Sequence, residues 1–372
     1  MKNIQQQLIE LLETRRKEGL FRQLALLEGR VDFCSNDYLG LASDTVLAAK
    51  IASDFEALPA AFRKNGSTGS RLISGHSALI EKFERECATF HGADAALLFS
   101  SGYDANIGLI SSVPQEGDVI FCDKLLHASL IDGLRLSKAE RRIFKHSNLD
   151  DLVHLLDQYP AETRKWIVVE SVYSMDGDLA PLQELVDLKN TYQAELIVDE
   201  AHAGGIYGTQ GQGIVHELGL CEEVFARVIT FGKGWGNAGA VVLGSLALKE
   251  YLVNFARPFI YSTAPTPAHV SALLSTLHYL PSQNEAREKL QDNITFFRAN
   301  VHSDAWGESD SAIQTFFVTG NEAVRTKAAA TSEFGIKPIV YPTVAKGKER
   351  IRITLSALHA KEQILALIKA LE

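Results

Sequence analysis

A chain of 372 residues with 46% apolar and 22% charged side chains can bury one large core and a smaller second one, with room to shield an active site from water. Its formal charge of -9 argues against nucleic acid or an anionic membrane as the main partner and points to small molecules and protein surfaces. The four cysteines, Cys34, Cys87, Cys122 and Cys221, show no C-x-x-C spacing, so neither a zinc site nor a disulfide framework is suggested; buried thiols in a reducing cytoplasm are the simple reading.

Ile4, Leu8, Leu11 and Leu12, set among charges, predict an amphipathic N-terminal helix rather than a signal peptide. Residues 78–91 place Leu79, Phe83, Cys87 and Phe90 on one helical face, and Gly92 can end that helix. The apolar runs ALLFSS, DVIFCD, RRIFKH, KWIVVESV, AELIVDEAH and RVITFGK follow, with helical patterns such as NLDDLVHLLDQY and PLQELVDLKNTY between them. Strands apolar throughout and separated by helices predict an α/β domain with a mostly parallel central sheet covered on both faces. The longest apolar stretch, residues 238–248, is about half of what a bilayer requires and carries glycines, so no membrane span is expected. YSTAPTP then marks a boundary. Helices near 266–280 and 284–302 lead into the strands AIQTFFVT and RIRITLS, which enclose a helix expected from Glu322 to Phe334, and AKEQILALIKAL closes the chain. The expected division is an N-terminal helix and arm over 1–40, a large domain over 41–262 and a smaller α+β domain over 263–372.

Several strands end in a polar residue: Ser100, Asp123, Glu170, Asp199 and Thr230. One such residue only marks where burial stops, but several at the edge where open α/β sheets bind ligands favour a site. In VDEAHAGG, Asp199 could pair with a cationic ring nitrogen and His202 with a nearby oxygen; a helix cap and a metal pair are the alternatives, although no further metal ligands are clustered. In SSGYDAN, the backbone N–H groups of Gly102 and Tyr103, with Ser100 or Ser101, could form an anion site at a helix start, or the glycine could serve only a tight turn. GTQGQG has glycines near dinucleotide spacing, but no strand leads into it and it reads as a loop. His127 could face a flat ligand or be a helix-start histidine satisfied by the backbone. Arg350 and Arg352 share one side of a strand, as a carboxylate clamp or as a solvent-facing pair. Lys233, between Gly232 and Gly234, could be a solvated charge, a phosphate ligand or a nucleophile. A phosphate cradle, a carboxylate for a pyridine nitrogen, a histidine and a glycine-flanked lysine are together the parts that pyridoxal 5'-phosphate requires.

The stretches FCSNDYLGLA, NGSTGSRLISGHS, LLFSSGYDAN, LLHASL, ESVYSMDGDLAPL, VDEAHAGGIYG, TFGKGWGNAGA, FIYSTAPTP and RIRITLSALH resemble the α-oxoamine synthases, pyridoxal-phosphate enzymes of fold type I, in order over nearly the whole chain. The resemblance implies a cytoplasmic homodimeric acyltransferase with active sites at the subunit interface. It is nearest to members that condense L-alanine with a pimeloyl thioester, on acyl carrier protein or coenzyme A, in biotin biosynthesis. Members that use glycine or serine with acetyl, succinyl or palmitoyl thioesters are the alternatives, and a non-catalytic scaffold is a further one. By motif position, Lys233 would form the Schiff base, Asp199 would pair with the pyridine nitrogen, His202 would bond the ring hydroxyl and His127 would stack on the ring. Gly102, Tyr103 and Thr230 would hold the phosphate, and Ser262 and Thr263 would reach that of the partner subunit. Ser174 would approach the ring hydroxyl. Asn36, Arg352 and Arg22 would contact substrate, Arg352 through the amino-acid carboxylate. The chain departs from the family at Ala203-Gly204, where glycine and threonine are usual, and in a short segment between Arg22 and Phe33.

Overall fold

The computed structural model describes residues 3–24, 26 and 29–372, in two compact units. Unit 2 comprises Asn36–Ser174 and Leu179–Glu288; unit 1 comprises Met1–Ser35, Met175–Asp178 and Lys289–Glu372.

Unit 2 is built on a seven-stranded sheet. Its strands are β2 (Ala95–Phe99), β3 (Val119–Asp123), β4 (Glu140–Phe144), β5 (Lys165–Glu170), β6 (Ala194–Asp199), β7 (Ala226–Thr230) and β8 (Ala240–Gly244). Their order is β2-β8-β7-β6-β5-β3-β4, and only β8 runs against the others. β2, β3, β5 and β7 are buried at every position, which accounts for runs that are apolar rather than alternating. The helices of this unit are α2 (Thr45–Ala57), α3 (Ala78–His91), α4 (Gly102–Ser112), α5 (Ala128–Leu136), α6 (Leu149–Leu156), α7 (Leu182–Tyr192), α8 (Ile214–Glu217), α9 (Leu246–Phe255), α10 (Arg257–Ile260) and α11 (Pro267–Tyr279). α3 has the expected bounds: Ser77 caps its start, and Gly92 ends it at φ 67, a left-handed conformation that costs glycine little. The stretch that contains β8, too short for a membrane span, is a buried strand between β2 and β7.

Unit 1 holds α1 (Ile4–Lys17), α13 (Asn321–Ala330), α14 (Lys361–Leu371) and most of α12 (Asn284–Asn300). A three-stranded antiparallel sheet places β12 (Arg350–Thr354) between β11 (Lys337–Ile339) and β9 (Ile313–Phe317). β1 (Val31–Asp32) pairs in parallel with β10 (Phe334–Gly335). The helix expected to reach Phe334 therefore stops at Ala330: Thr331 turns its hydroxyl back onto Ala328 O at 3.0 Å, and Phe334 is buried edge-on against Phe33 at 5.8 Å. In the short segment between Arg22 and Phe33, residues 25, 27 and 28 lie outside the described residues.

Unit 2 also continues past the boundary expected at 262. α11 packs on α2 and α3 and so belongs to unit 2, which runs to Glu288. An amphipathic helix advertises an apolar face without saying which core receives it. Nor did the sequence mark residues 175–178 as part of unit 1. There Ser309 Oγ donates to Gly177 O at 2.9 Å and Arg350 pairs with Asp176. Among the described residues no helix is long and apolar enough to cross a membrane.

Candidate active site

The C-terminal edge of the parallel strands opens into a cavity of about 380 Å³, within the few-hundred-Å³ range of small-molecule sites. Of the polar strand ends, Ser100, Glu170, Asp199 and Thr230 line it. Asp123 does not: its carboxylate accepts from Leu125 N at 2.8 Å and Ser147 N at 2.8 Å and lies 2.9 Å from His146 Nδ1, a local turn-holding role.

Lys233 stands in a turn closed by Phe231 N→Gly239 O at 2.9 Å, Asn237 N→Phe231 O at 2.7 Å and Gly236 N→Lys233 O at 2.8 Å. Gly236 is at φ 60 with Ala42 N only 2.3 Å from where a Cβ would be, so the turn admits no side chain there. Lys233 Nζ lies 2.9 Å from His202 Nε2, and His202 Nδ1 lies 2.5 Å from the Tyr38 hydroxyl. An amine donating to Nε2 requires the ring proton on Nδ1, facing Tyr38. The lysine is thus tied to a histidine-tyrosine pair, which separates it from the solvated-charge alternative.

Asp199, at the end of β6, is buried; Oδ1 accepts from Ala201 N at 2.8 Å and Oδ2 from Asn106 Nδ2 at 2.7 Å. Two donors on one carboxylate leave further lone pairs for a cationic ring nitrogen. His127 is a helix-start histidine bonded to the backbone. It caps α5, Nδ1 accepting from Ser129 N at 3.2 Å, and it also lines the cavity. Burial lowers its pKa, against the pull of Asp199.

Gly102 opens α4, where helix geometry leaves the first N–H groups without intrahelical acceptors. Ser101 Oγ takes Asp104 N at 3.1 Å and Ser101 O takes Ala105 N at 3.0 Å, while Gly102 and Tyr103 line the cavity. A Cβ on Gly102 would come within 2.5 Å of Thr230 Cγ2, so a glycine is required by the close approach of β7. Thr230 donates its hydroxyl to Ala201 O at 3.2 Å. The Tyr103 side chain is exposed and its hydroxyl bonds Asp132 on α5.

Of the remaining expected residues, Asn36 lines the cavity. Ser174 is buried but off the wall, its N–H donating to Glu170 Oε2 at 3.3 Å. Ser262 and Thr263 are also off the wall, Thr263 bridging to Ser70. Arg22 is exposed in unit 1. Arg352 is in the middle strand of the unit 1 sheet, donating to Thr354 Oγ1 at 3.0 Å; both it and Arg350 are buried rather than solvent-facing. The Ala203-Gly204 departure has a packing counterpart. A Cβ on Gly204 would stand 2.8 Å from Ile229 Cγ2, and Gly204 O lies 2.6 Å from the Cβ position of Gly234, next to the lysine.

Four further residues belong to this constellation: Glu170, Asn106, Ser129 and Tyr38. Glu170 is buried between backbone donors, its pKa pushed up to about 8 by burial and by the charge of Asp199. Asn106, Ser129 and Tyr38 each lie inside a quoted motif, SSGYDAN, LLHASL and FCSNDYLGLA, so the signal was present without a role attached.

These parts fit pyridoxal phosphate: an anion site at a helix start that a Cβ would fill, a held carboxylate, a lysine in a rigid turn, and in the wall a buried acceptor, Asn106 Oδ1, with no partner among the described residues. Fold and site together define a pyridoxal-phosphate-dependent enzyme of fold type I. Residues 28–371 match the family of class I and II aminotransferases, and within it the chain belongs to the α-oxoamine synthases. It is 41% identical over 353 residues to the 8-amino-7-oxononanoate synthase of Methylococcus capsulatus, covering 92% of this chain and 88% of the relative. The crystal structure of 8-amino-7-oxononanoate synthase from Francisella tularensis superposes with a TM-score of 0.76 at 31% identity, over 92% of this chain and 96% of that one. Serine palmitoyltransferase from S. paucimobilis, solved with a bound PLP-myriocin aldimine, superposes with a TM-score of 0.86 at 26% identity, over 100% and 98%.

Proposed function

We propose that this enzyme condenses L-alanine with a pimeloyl thioester, carried on acyl carrier protein or coenzyme A, to give 8-amino-7-oxononanoate, carbon dioxide and free thiol in biotin biosynthesis. The observation that carries the reading is the 41% identity to an 8-amino-7-oxononanoate synthase over nine-tenths of the chain, together with a cavity that unites Lys233, Asp199, His202 and His127.

Pyridoxal phosphate, when bound, supplies a covalent attachment for the amino acid and an electron sink for the charge left at its Cα. Lys233 is the proposed attachment point and, once its amine is released, the base that takes the Cα proton; His202 Nε2, 2.9 Å away, holds that amine in place. Asp199 is assigned to the protonated ring nitrogen, and its two donors keep the carboxylate aimed. His127 is assigned to the face of the ring, and His202 and Ser174 to its hydroxyl. Gly102, Tyr103 and Thr230 are assigned to the phosphate. Asn36, Arg22 and Arg352 are the proposed substrate contacts, Arg22 and Arg352 on motif position alone. The proposed assembly is a cytoplasmic homodimer in which Ser262 and Thr263 serve the partner's phosphate; their place off the cavity wall of their own chain is compatible with that role.

A second reading, another α-oxoamine synthase such as a serine palmitoyltransferase, is favoured by the higher TM-score, 0.86 against 0.76. Thiol release from acetyl, succinyl, pimeloyl and palmitoyl thioesters, each with alanine, glycine and serine, separates the two. Alanine with the pimeloyl thioester is the expected best pair, and preference for serine or glycine overturns the assignment. Lys233→Ala is expected to abolish both the visible absorbance of the protein and the adduct trapped by borohydride. Retention of that adduct would remove Lys233 from its role.

A further inference from the structure

We infer that Asn106 and Ser129 are positioning residues that join the Asp199 carboxylate to His127 through one directed hydrogen-bond chain and fix His127 as the neutral tautomer with its proton on Nε2. The inference rests on the cofactor reading above and deepens it.

The direction of each bond follows from what each atom can do. An amide nitrogen only donates. Asn106 Nδ2 lies 2.7 Å from Asp199 Oδ2 and 2.9 Å from Ser129 Oγ, so its two hydrogens serve one acceptor each. The opposite amide orientation would set Oδ1 against the carboxylate, and Asp199 therefore selects the orientation present. Ser129 Oγ, accepting from Asn106, lies 2.7 Å from His127 Nδ1, while the backbone N–H of Ser129 donates to that same Nδ1 at 3.2 Å. A nitrogen that accepts from the backbone carries no proton, so the hydroxyl donates to it as well and the ring proton sits on Nε2. Ser129 and Asn106 are buried, 0% and 2% exposed. The remaining amide atom, Asn106 Oδ1, is buried in the cavity wall without a partner among the described residues.

The consequence is a division of charge. The Asp199 carboxylate faces the ring nitrogen, and the ring placed over the cofactor stays uncharged instead of adding a second cation beside Lys233. Asn106 and Ser129 touch neither reacting atom; they act through Asp199 and His127.

The test begins with cofactor-free wild-type protein labelled with [¹⁵N]histidine, the His127 signals being identified by their loss in His127→Gln. Two-bond ¹H–¹⁵N spectra at pH 8 are expected to show His127 protonated on Nε2 alone. In Ser129→Ala the Nδ1 resonance is expected to move, because the hydroxyl donor is gone, while the other histidine signals report that the variant is folded. A proton on Nδ1 in the wild type, or an unmoved resonance in Ser129→Ala, overturns the inference. In the loaded enzyme, Asn106→Leu is expected to lower kcat about 10- to 100-fold, the worth of one hydrogen bond to a charged group, with KM for the amino acid within about twofold. An unchanged kcat, or a loss carried by KM, overturns it too. Failure of the cofactor reading is distinguishable: it removes the visible absorbance of the wild type and leaves the tautomer of the cofactor-free protein as measured.

Discussion

Glu170 gives the most direct electrostatic prediction. Its carboxyl is 2% exposed, its Cα is in register with that of Asp199 on the neighbouring strand, and its donors are the backbone N–H groups of His127 and Ser174. Burial, then the Asp199 charge, raises its pKa from 4.5 to about 8. In the unfolded chain this group releases its proton near its ordinary pKa; in the folded protein it keeps it. Below the unfolded value both states are protonated and nothing is lost. As pH rises between the two values the unfolded state alone is stabilised by ionisation, so the stability contributed by the protonated form falls until the folded group also ionises near pH 8. At about 1.4 kcal/mol per pH unit, the step from pH 5 to pH 7 costs the wild type about 2 to 3 kcal/mol that a neutral side chain does not lose. Glu170→Gln supplies that neutral side chain. Its amide meets the Ser174 N–H donor to donor, an offset of about 1 kcal/mol, but one that does not change with pH. The assay is urea denaturation of cofactor-free wild type and variant at several values from pH 5 to pH 8, because bound cofactor adds its own pH dependence. The difference between the two proteins is expected to shift steadily toward the variant as pH rises. Parallel stability curves would refute the reasoning, since Glu170 would then titrate alike in both states.

Two glycines carry the remaining predictions. Gly102→Ala forces a Cβ to within 2.5 Å of Thr230 Cγ2, and overpacking of about 1–3 kcal/mol at the cofactor cradle is expected to weaken pyridoxal phosphate binding about tenfold or more by equilibrium dialysis. Adding Thr230→Ser removes the opposing methyl and is expected to restore most of the affinity; an alanine variant that binds like wild type would show that the cradle yields. Gly177→Ala, at φ 82 with Ile313 O 2.3 Å from the new Cβ, is expected to cost about 2 kcal/mol or more in urea denaturation. Gly66→Ala, where nothing lies within 4 Å, is the control and is expected to be near neutral.

The α/β alternation was readable because buried parallel strands and amphipathic helices leave different periodicities. α3 could be placed to the residue, since its apolar face and Gly92 mark the bounds that the structure has, with Ser77 as the cap. β8 was not, because a short apolar run after glycines has no period of its own and its partners β2 and β7 are remote in sequence. At the site, Lys233, Asp199, His202 and His127 announced themselves by residue type and motif. Glu170 stood in the same series of strand ends as Asp123, and only the tertiary structure separates one that enters the cavity from one that ties a turn. Asn106 and Ser129 are ordinary helix residues until Asp199, 93 residues beyond Asn106, closes the hydrogen-bond chain. Long-range pairing of that kind has no local signature.

The four residues 175–178 have a consequence for how the chain must be made. They belong to unit 1, yet they emerge from the ribosome between two stretches of unit 2. Asp176 is therefore synthesised long before Arg350, and Gly177 long before Ser309. Most of unit 2 is synthesised before the last segment of unit 1 and can begin to assemble first, but unit 1 must draw together three separate lengths of polypeptide, one of them interrupting the sequence of unit 2. Neither unit exists as a continuous fragment, so neither can be excised and expressed alone by cutting the chain once.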